Sequence, residues 1–297
     1  MPPRILITVA LALTTIVSSA FAQYWRQVPL SAPYNGGYYL DVFFLPSHPQ
    51  LGWACDQNGG YVIRTTNGGA TWSGTSVRTN GAGCHLEYIE FLTPAVGYCS
   101  GPCGAFKSLD SGKTWTQLVF PDTVPRWGGQ FRSTTTGWFV GGTCGRNHFY
   151  RTTDGGSTFS VFIDSTTSTT TTMADPYWDA SLPADVVYAS GNGRIFRSTD
   201  DGVTWSSWVT TGTTAPWQEE IHRFGNTWVV STATSNCSGG GFTGGGARVS
   251  PDNGANWREF NPGKQMFGVN FVSATTGWMA GEAGSVYMTT DAGLTWT

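Results

Sequence analysis

One eight-residue motif recurs six times along the 297-residue chain, and this repeat constrains the fold more than any other feature. Its commonest form is Ser or Thr, any residue, Asp, any residue, Gly, any residue, Thr and Trp. The copies begin at Thr65, Ser108, Thr152, Ser198, Ser250 and Thr289. Their closing aromatic residues lie 43, 44, 46, 52 and 39 residues apart. A period in the forties is typical of a propeller blade, which holds four strands and their turns.

The third residue of each motif is predicted to fix a tight turn between two strands. This residue is Asn67, Asp110, Asp154, Asp200, Asp252 or Asp291. Its side chain can accept hydrogen bonds from nearby backbone N–H groups, while the glycine adopts a positive φ and the aromatic ring packs between strands. A calcium loop of the EF-hand type would need five or six spaced ligands ending in Glu, which no copy has. The motif therefore predicts structural turns, with no metal site and no cofactor.

A second phrase, a glycine followed by an aromatic residue, precedes four of the motifs. It reads Gly52-Trp53, Gly97-Tyr98, Gly137-Trp138 and Gly277-Trp278. The eight-residue motif resembles the Asp-box, or BNR, repeat, and its pairing with the glycine–aromatic phrase resembles the photosystem II stability/assembly-factor-like BNR family of exported bacterial proteins. The resemblance covers residues 23–297. It implies a non-catalytic binding or scaffolding module. The six copies predict an all-β propeller of six four-stranded blades, and the alternative is a chain truncated before a seventh blade or a sorting domain.

The repeat also predicts where each strand of a blade lies. Before the first box, strand A falls near residues 39–45, strand B near 52–55 and strand C near 61–65. The boxes then all lie on one face of the disc, at turns between strands C and D, and the D–A and B–C loops lie on the other. Residues 24–29 resemble residues 257–262, which follow the fifth box. The N-terminal segment is therefore predicted to close the ring as the outer strand of the last blade.

The first 22 residues have the pattern of a secretory signal peptide. Arg4 precedes an apolar run over residues 5–17, and Ala20-Phe21-Ala22 supplies a small-residue cleavage site. The run is shorter than the roughly 20 residues of a membrane span, so no membrane anchor is predicted. The mature propeller would be residues 23–297, secreted to an extracellular or periplasmic location. The net charge of −3 and the absence of a basic stripe argue against a nucleic-acid partner.

The cysteines are disulfide candidates, because an exported chain meets an oxidising compartment. They are Cys55, Cys84, Cys99, Cys103, Cys144 and Cys237. Six cysteines allow about 15 pairings, and sequence does not choose among them. The strand assignment puts Cys84 in a D–A loop and the other five in or beside B–C turns, all on the face opposite the boxes.

The same face is predicted to carry the binding residues. They are His85, Arg126, Trp127, Tyr177, Trp178, Trp217, Glu219 and Glu220. Aromatic rings beside polar groups are typical of sites for proteins and glycans, so a protein or glycan partner is predicted here. The alternative is that these aromatic side chains only pack between blades.

Strand A residues are predicted to alternate between blade packing and the central channel. Phe44, Phe91, Phe131 and Phe271 share the packing register, whereas Glu90, Gln130 and Asn270, with Asp179 and His222, share the channel register. A glycoside hydrolase needs two carboxylates about 5–10 Å apart, and Glu90 and Asp179 are weak candidates for this pair. A carbohydrate-active enzyme or lectin is thus the alternative function. Sialidase chemistry is disfavoured, because Arg64, Arg151 and Arg197 recur at matched repeat positions and should lie in separate blades.

Overall fold

The polypeptide forms six antiparallel sheets that follow one another along the sequence, each in the spatial order A-B-C-D. The computed structural model describes residues 28–78, 84–143, 146–164, 173–191, 193–211, 217–233 and 245–297. Five sheets have four strands and the sixth has three within these residues. Short 3-10 segments at Tyr34–Gly36 and Glu282–Gly284 are the helical elements of the described part. The prediction of an all-β, six-bladed propeller is confirmed.

Strands A to D of the first three blades have the following bounds: β1 (Tyr39–Phe44), β2 (Gly52–Asp56), β3 (Tyr61–Thr65), β4 (Ser73–Ser76); β5 (Tyr88–Phe91), β6 (Gly97–Gly101), β7 (Gly104–Ser108), β8 (Thr116–Gln117); β9 (Arg126–Phe131), β10 (Gly137–Thr143), β11 (Arg146–Thr152), β12 (Ser160–Asp164). Those of the last three are β13 (Met173–Tyr177), β14 (Val187–Gly191), β15 (Arg194–Ser198), β16 (Ser206–Thr210); β17 (Trp217–Phe224), β18 (Thr227–Ala233), β19 (Gly245–Ser250), β20 (Arg258–Phe260); β21 (Met266–Phe271), β22 (Gly277–Gly281), β23 (Val286–Thr289).

The six boxes form the C–D turns, as predicted, and all six share one hydrogen-bond pattern. The first hydroxyl of each box donates to the Asp or Asn Oδ1 at 2.7–2.9 Å. The same hydroxyl accepts from the glycine N–H at 2.8–2.9 Å. The seventh residue donates its N–H to Oδ1 at 2.8–2.9 Å. The carboxylate oxygens are therefore engaged by turn donors, which accounts for the motif without a cation.

The hydrogen bonds of the boxes predict that removing the Asp side chain at the third position of a box lowers the stability of the protein. We expect Asp154→Ala to lower the free energy of unfolding, because Thr152, Thr158 and the backbone each lose an acceptor. Denaturant unfolding of the purified protein measures this. Asp154→Asn is the matched control, since Asn67 makes the same Oδ1 contacts in the first box. A wild-type melting temperature that rises with calcium would contradict the structural interpretation of the motif.

The glycine–aromatic phrase builds the seams between blades. A Cβ on Gly97 or Gly137 would lie 2.3–2.5 Å from the ring of Phe91 or Phe131 in the same blade, so only glycine leaves room for that ring. The aromatic residue of the preceding blade then stacks on the other side of the ring. Trp53 lies 3.6 Å from Phe91, and Tyr98 lies 3.7 Å from Phe131, between ring centroids. Each such phenylalanine is held between its own glycine and the previous blade.

Among the described residues, the seam that joins the last blade to the first is less tightly packed than the others. Phe91, Phe131 and Phe271 are buried as predicted, whereas Phe44, at the matching position in blade 1, is 39% exposed. In blade 6, Thr297 pairs with Met288 through two backbone hydrogen bonds of 2.9 Å, as the first residue after every other box does. Most of the N-terminal segment predicted to extend this outer strand, residues 24–30, lies outside the described residues. Closure by that segment stays a prediction.

The cysteines divide into bonded and free groups. Cys84, in the D–A loop before β5, is bonded to Cys103, in the B–C turn of the same blade, with Cα atoms 5.5 Å apart. Cys55 and Cys99 are buried free thiols. Their assignment as disulfide candidates beside B–C turns is corrected, because both side chains belong to buried B strands within one hydrophobic cluster. Cys144 and Cys237 lie outside the described residues.

Candidate functional site

The two faces of the propeller differ in which connections they carry. We call the face with the D–A and B–C connections the cysteine face, because it holds the Cys84–Cys103 disulfide, and the opposite one the box face. The structure places His85 in a D–A loop and Arg126 and Trp127 at the start of β9, all on the cysteine face as predicted. Trp217 begins β17 on this face, and its side chain lies outside the described part.

Tyr177, Trp178 and Asp179 are on the box face, which corrects their assignment to a D–A loop. Tyr177 ends β13, and the A–B connection that follows spans residues 178–186, whereas the corresponding connection of blade 2 spans only 92–96. This longer connection moves strand A of blade 4 to an earlier sequence position than even spacing predicts. Tyr177 donates to Asp179 at 2.7 Å, and Arg223 Nη1 lies 3.7 Å from the Asp179 carboxylate.

Glu219 and Glu220 also lie elsewhere than predicted, within strand β17 rather than in the loop before it. The pairing of β17 with β18 shifts register between Gln218 and Ile221, so simple alternation fails at this point. Glu220 faces the central channel, where Oε2 accepts the backbone N–H of Val269 at 2.7 Å. Neither glutamate belongs to a loop on the cysteine face.

A cluster of polar side chains that the sequence analysis missed lies under the cysteine face between blades 2 and 3. Asp122 Oδ1 accepts from Tyr150 at 2.6 Å and from Arg126 Nη2 at 3.0 Å, and Oδ2 accepts from His148 Nδ1 at 2.9 Å. The guanidinium of Arg126 also lies 4.1 Å from the centroid of Phe120. The sequence signal was the alternation of His148 and Tyr150 on one side of β11.

The charges of this cluster are opposite and paired. Burial opposes ionisation of Asp122, but the hydrogen bonds from Tyr150 and His148 outweigh it and hold the pKa of the carboxyl below its usual value. Burial also lowers the pKa of the Arg126 guanidinium, against the attraction of Tyr150 and Asp122. Arg126 is 5% exposed, and its Nε is buried without a hydrogen-bond partner among the described residues. The cluster thus pairs opposite charges and leaves two buried nitrogens, Arg126 Nε and His148 Nε2, without a hydrogen-bond partner within the part of the chain that the structure describes.

A cavity of about 240 Å³ opens beside this cluster, lined by Arg126, Asp122, Phe120, Gln117 and Cys103 among others. The disulfide therefore forms one rim of the cavity. Next to it, the rings of His85 and Trp127 meet edge to face at 6.4 Å, and His85 Nε2 lies 2.6 Å from Glu87. Three of the predicted binding residues, His85, Arg126 and Trp127, are thus brought together in one sector.

The central channel holds a second polar arrangement, and it ties the blades together. In five consecutive seams, a strand A side chain accepts the backbone N–H of a residue on or just after strand A of the next blade. The pairs are Asp41 with Ile89, Glu90 with Phe131, Gln130 with Trp178, Asp175 with Ile221, and Glu220 with Val269. Strand A is the inner edge of each sheet, so its N–H groups need acceptors from outside the sheet. We call these five side chains the channel ring.

Desolvation in the channel raises the pKa of every carboxyl in the ring. The pKa of Asp41 rises to about 6, that of Glu90 to about 7 and that of Glu220 to about 8, and that of Asp175 lies well above its ordinary value. Repulsion from other ring carboxylates adds to the shifts of Glu90, Asp175 and Glu220. Asp41 and Asp175 were missed from the sequence, because register shifts at the start of β1 and β13 disguise which residues face the channel.

Glu90 and Asp179, the weak catalytic candidates, do not form a pair. Glu90 belongs to the channel ring and also accepts from Tyr88 at 2.7 Å. Asp179 lies in the A–B connection of blade 4 on the box face and bonds Tyr177 and Ser181. Within the described ranges, no group of three or more His, Cys, Asp or Glu side chains is placed to hold a metal ion. The same residues contain no helix long and apolar enough to cross a membrane.

Comparison with known proteins gives structural neighbours only. No protein-family model matches the chain, and no curated protein matches its sequence. An ancestral GH74 enzyme has a TM-score of 0.71 at 14% identity, over 89% of this chain and 37% of the enzyme. The GH74 xyloglucanase from Xanthomonas campestris has a TM-score of 0.65 at 14% identity, over 92% of this chain and 46% of the enzyme. This chain thus spans less than half of either GH74 protein.

YCF48 bound to D1 peptide has a TM-score of 0.63 at 18% identity, over 92% of this chain and 82% of that protein. YCF48 from Cyanidioschyzon merolae has a TM-score of 0.64 at 19% identity, over 92% of this chain and 87% of that protein. At such identities the likeness concerns the fold alone. The chain therefore shares a β-propeller fold with a peptide-bound protein and with glycoside hydrolases of family GH74.

Proposed function

We propose that this chain is a non-catalytic binding propeller that takes an extended segment of a protein partner on its cysteine face, in the sector between blades 2 and 3. The observation that carries the proposal is the cavity of about 240 Å³ between the disulfide and the buried Arg126–Asp122 pair. A main-chain carbonyl entering the cavity would offer the guanidinium an acceptor. His85 and Trp127 beside it would provide the flat apolar contacts that anchor a peptide.

The proposal includes export of the chain. Residues 1–22 have the pattern of a signal peptide, leaving 23–297 as the Asp-box propeller. A disulfide between Cys84 and Cys103 fits an oxidising compartment outside the cytoplasm. It would also hold the D–A loop and the B–C turn at a fixed separation, so that the rim of the cavity is formed before a ligand arrives.

Selection from a phage-displayed random peptide library tests the proposal, with calorimetry on the selected peptide. We expect Trp127→Ala to weaken the binding by about 2 kcal/mol or more, since aromatic anchors dominate such interfaces. Trp178→Ala is the matched control, because Trp178 lies on the box face and should leave the affinity unchanged. Thermal melts of both variants check that the fold persists. Binding that Trp178→Ala abolishes and Trp127→Ala does not would contradict the assignment of the face.

The alternative function, glycoside hydrolysis, rests on the channel. Glu90 has a pKa raised to about 7 by burial, a value that suits a general acid. Two observations argue against hydrolysis. The Glu90 carboxylate already accepts hydrogen bonds from Tyr88 and from the N–H of Phe131, and Asp179 does not lie beside it. Turnover of a polysaccharide that Glu90→Gln abolishes would favour the enzyme over the peptide-binding proposal.

A further inference from the structure

A polar notch lies at the outer side of blade 4, far in the fold from the cysteine-face cavity. Its volume is about 220 Å³, and Arg197, Thr199, Ser206, Ser207 and Trp208 are among its lining residues. Thr199, Ser206 and Ser207 are exposed, whereas Trp208 is half-buried. Thr204 and Trp205 also line it, so the notch combines one guanidinium, four hydroxyl residues and two indoles.

In blades 2 and 3, the residue at the repeat position of Arg197 is Lys107 or Arg151, and its side chain donates a hydrogen bond to the next blade. Lys107 Nζ donates to the Gly155 carbonyl at 2.8 Å, and Arg151 Nε donates to the Asp201 carbonyl at 2.7 Å. Gly155 and Asp201 are the matching residues of consecutive boxes. Lys107 and Arg151 are therefore already engaged in hydrogen bonds between neighbouring blades.

Arg197 makes no such hydrogen bond in the described part of the chain. Its Nε is buried without a hydrogen-bond partner there, and its guanidinium lies 5.9 Å from the ring centroid of Tyr188. The cause is Trp208, which packs between Tyr188 and Trp228 at centroid distances of 5.0 and 5.4 Å. A Cβ on Gly254, in the fifth box, would lie 2.9 Å from Trp208, so this indole occupies the route from Arg197 to that box.

We propose that the Arg197 notch binds a hexuronic acid residue of an acidic glycan. A guanidinium recognises a carboxylate with paired, charge-assisted hydrogen bonds. Hydroxyl groups and an indole are the partners that sugar hydroxyls and the apolar face of a pyranose ring require. This site is separate from the peptide site of the proposed function and does not depend on it.

The size of the notch favours a sugar over an acidic side chain. A volume of about 220 Å³ holds about seven water molecules at liquid density. A single carboxylate group would leave most of that space filled with water, whereas one sugar ring with its carboxylate would displace it. The volume is also below the roughly 300–1,000 Å³ of pockets for larger ligands, so the notch itself would hold one sugar ring while the rest of the glycan stays outside it.

Titration of the full chain with trigalacturonate, followed by tryptophan fluorescence and by calorimetry, tests this site. We expect saturable binding of the acid, and binding at least about tenfold weaker for its methyl ester, because the ester loses the charge-assisted pair. Arg197→Gln should weaken binding of the acid to the level of the ester. Arg64→Gln is the matched control, since Arg64 holds the same repeat position in blade 1 and should leave the affinity unchanged.

A second variant keeps the test decisive if Arg197→Gln reduces stability. Ser206→Glu places a carboxylate in the notch, directly opposite Arg197 in the pairing of β15 with β16, where it would pair with the guanidinium and exclude the ligand, so binding should again fall by about tenfold or more. Equal binding of acid and ester, or full binding by Ser206→Glu, would overturn the proposal. A glutamate-rich peptide that competes with trigalacturonate at equal concentration would overturn the assignment to a glycan.

Discussion

Trp53→Ala is expected to lower the free energy of unfolding by about 3–5 kcal/mol, the range for truncating a fully buried aromatic residue. Trp53 is 0% exposed, stacks on Phe91 of the next blade and donates Nε1 to the Ser111 carbonyl at 2.9 Å. The substitution would therefore open a cavity in the first seam and leave a buried carbonyl with one donor fewer. Urea unfolding followed by far-UV circular dichroism measures the loss.

The matched control is Trp278→Ala, at the same repeat position in blade 6. Trp278 is half-buried, and Phe44, the residue of blade 1 that matches Phe91, is 39% exposed. We expect this variant to lose clearly less stability than Trp53→Ala, because its ring is less enclosed. Equal losses at the two positions would show that the last seam is as tightly packed as the first.

Acidification from pH 8 to pH 5 is expected to stabilise the protein, because of the channel ring. The pKa values of Asp41, Glu90 and Glu220 are raised to about 6, 7 and 8, so the folded protein binds protons that the unfolded chain releases above pH ~4. The free energy of unfolding then falls as pH rises through this window, by at most ~1.4 kcal/mol per pH unit for each carboxyl. The ring side chains are half-buried, so channel water should reduce the effect below that limit.

Below pH 4 the boxes are expected to reverse the trend. Hydrogen bonds from Thr158 and Thr152 lower the pKa of Asp154 to about 2, and Asp252 and Asp291 have pKa values of about 2 for the same reason. A lowered pKa contributes stability that is present above the unfolded value near 4 and lost as pH falls towards 2. The melting temperature should therefore pass through a maximum between pH 4 and about 5.

Glu220→Gln isolates the contribution of the ring. An amide can still accept the N–H of Val269 but does not ionise, so melting temperatures of this variant should depend less on pH between 5 and 8. Asp185→Asn, at an exposed aspartate in the A–B connection of blade 4, should leave the slope unchanged. A wild-type melting temperature that rises with pH over this window would contradict the assignment of the ring.

The fold was predictable from sequence because its signals are local. The box encodes one turn through contacts that span at most four residues, such as that between Asp154 and Thr158. The glycine–aromatic phrase marks strand B, because the glycine makes room for a phenylalanine ring of its own blade. Six copies of the box fix the number of blades and put every C–D turn on one face, and four copies of the phrase mark strand B in blades 1, 2, 3 and 6.

The site was only partly predictable, because it depends on register and on contacts between blades. His85, Arg126 and Trp127 were placed on the correct face, since each is near the start of a strand A. Register shifts at the start of β13 and β17 then changed which side chains face the channel, so Asp175 was missed and Glu220 was assigned to a loop. The pairing of Asp122 with His148 joins residues 26 apart, and no local pattern marks it.

The channel ring bears on which amino-acid substitutions the contacts between blades can tolerate. Every one of its five contacts is directed from one blade to a main-chain N–H of the following blade. Because nearly every amino acid carries that N–H group, the donor blade is recognised without regard to its side chains. A substitution at the donor residue therefore leaves this hydrogen bond in place, whereas the aromatic contacts of the same seams, such as Trp53 on Phe91, depend on side chains. The channel contacts of these five joints can thus persist while the donor residues diverge in sequence from blade to blade.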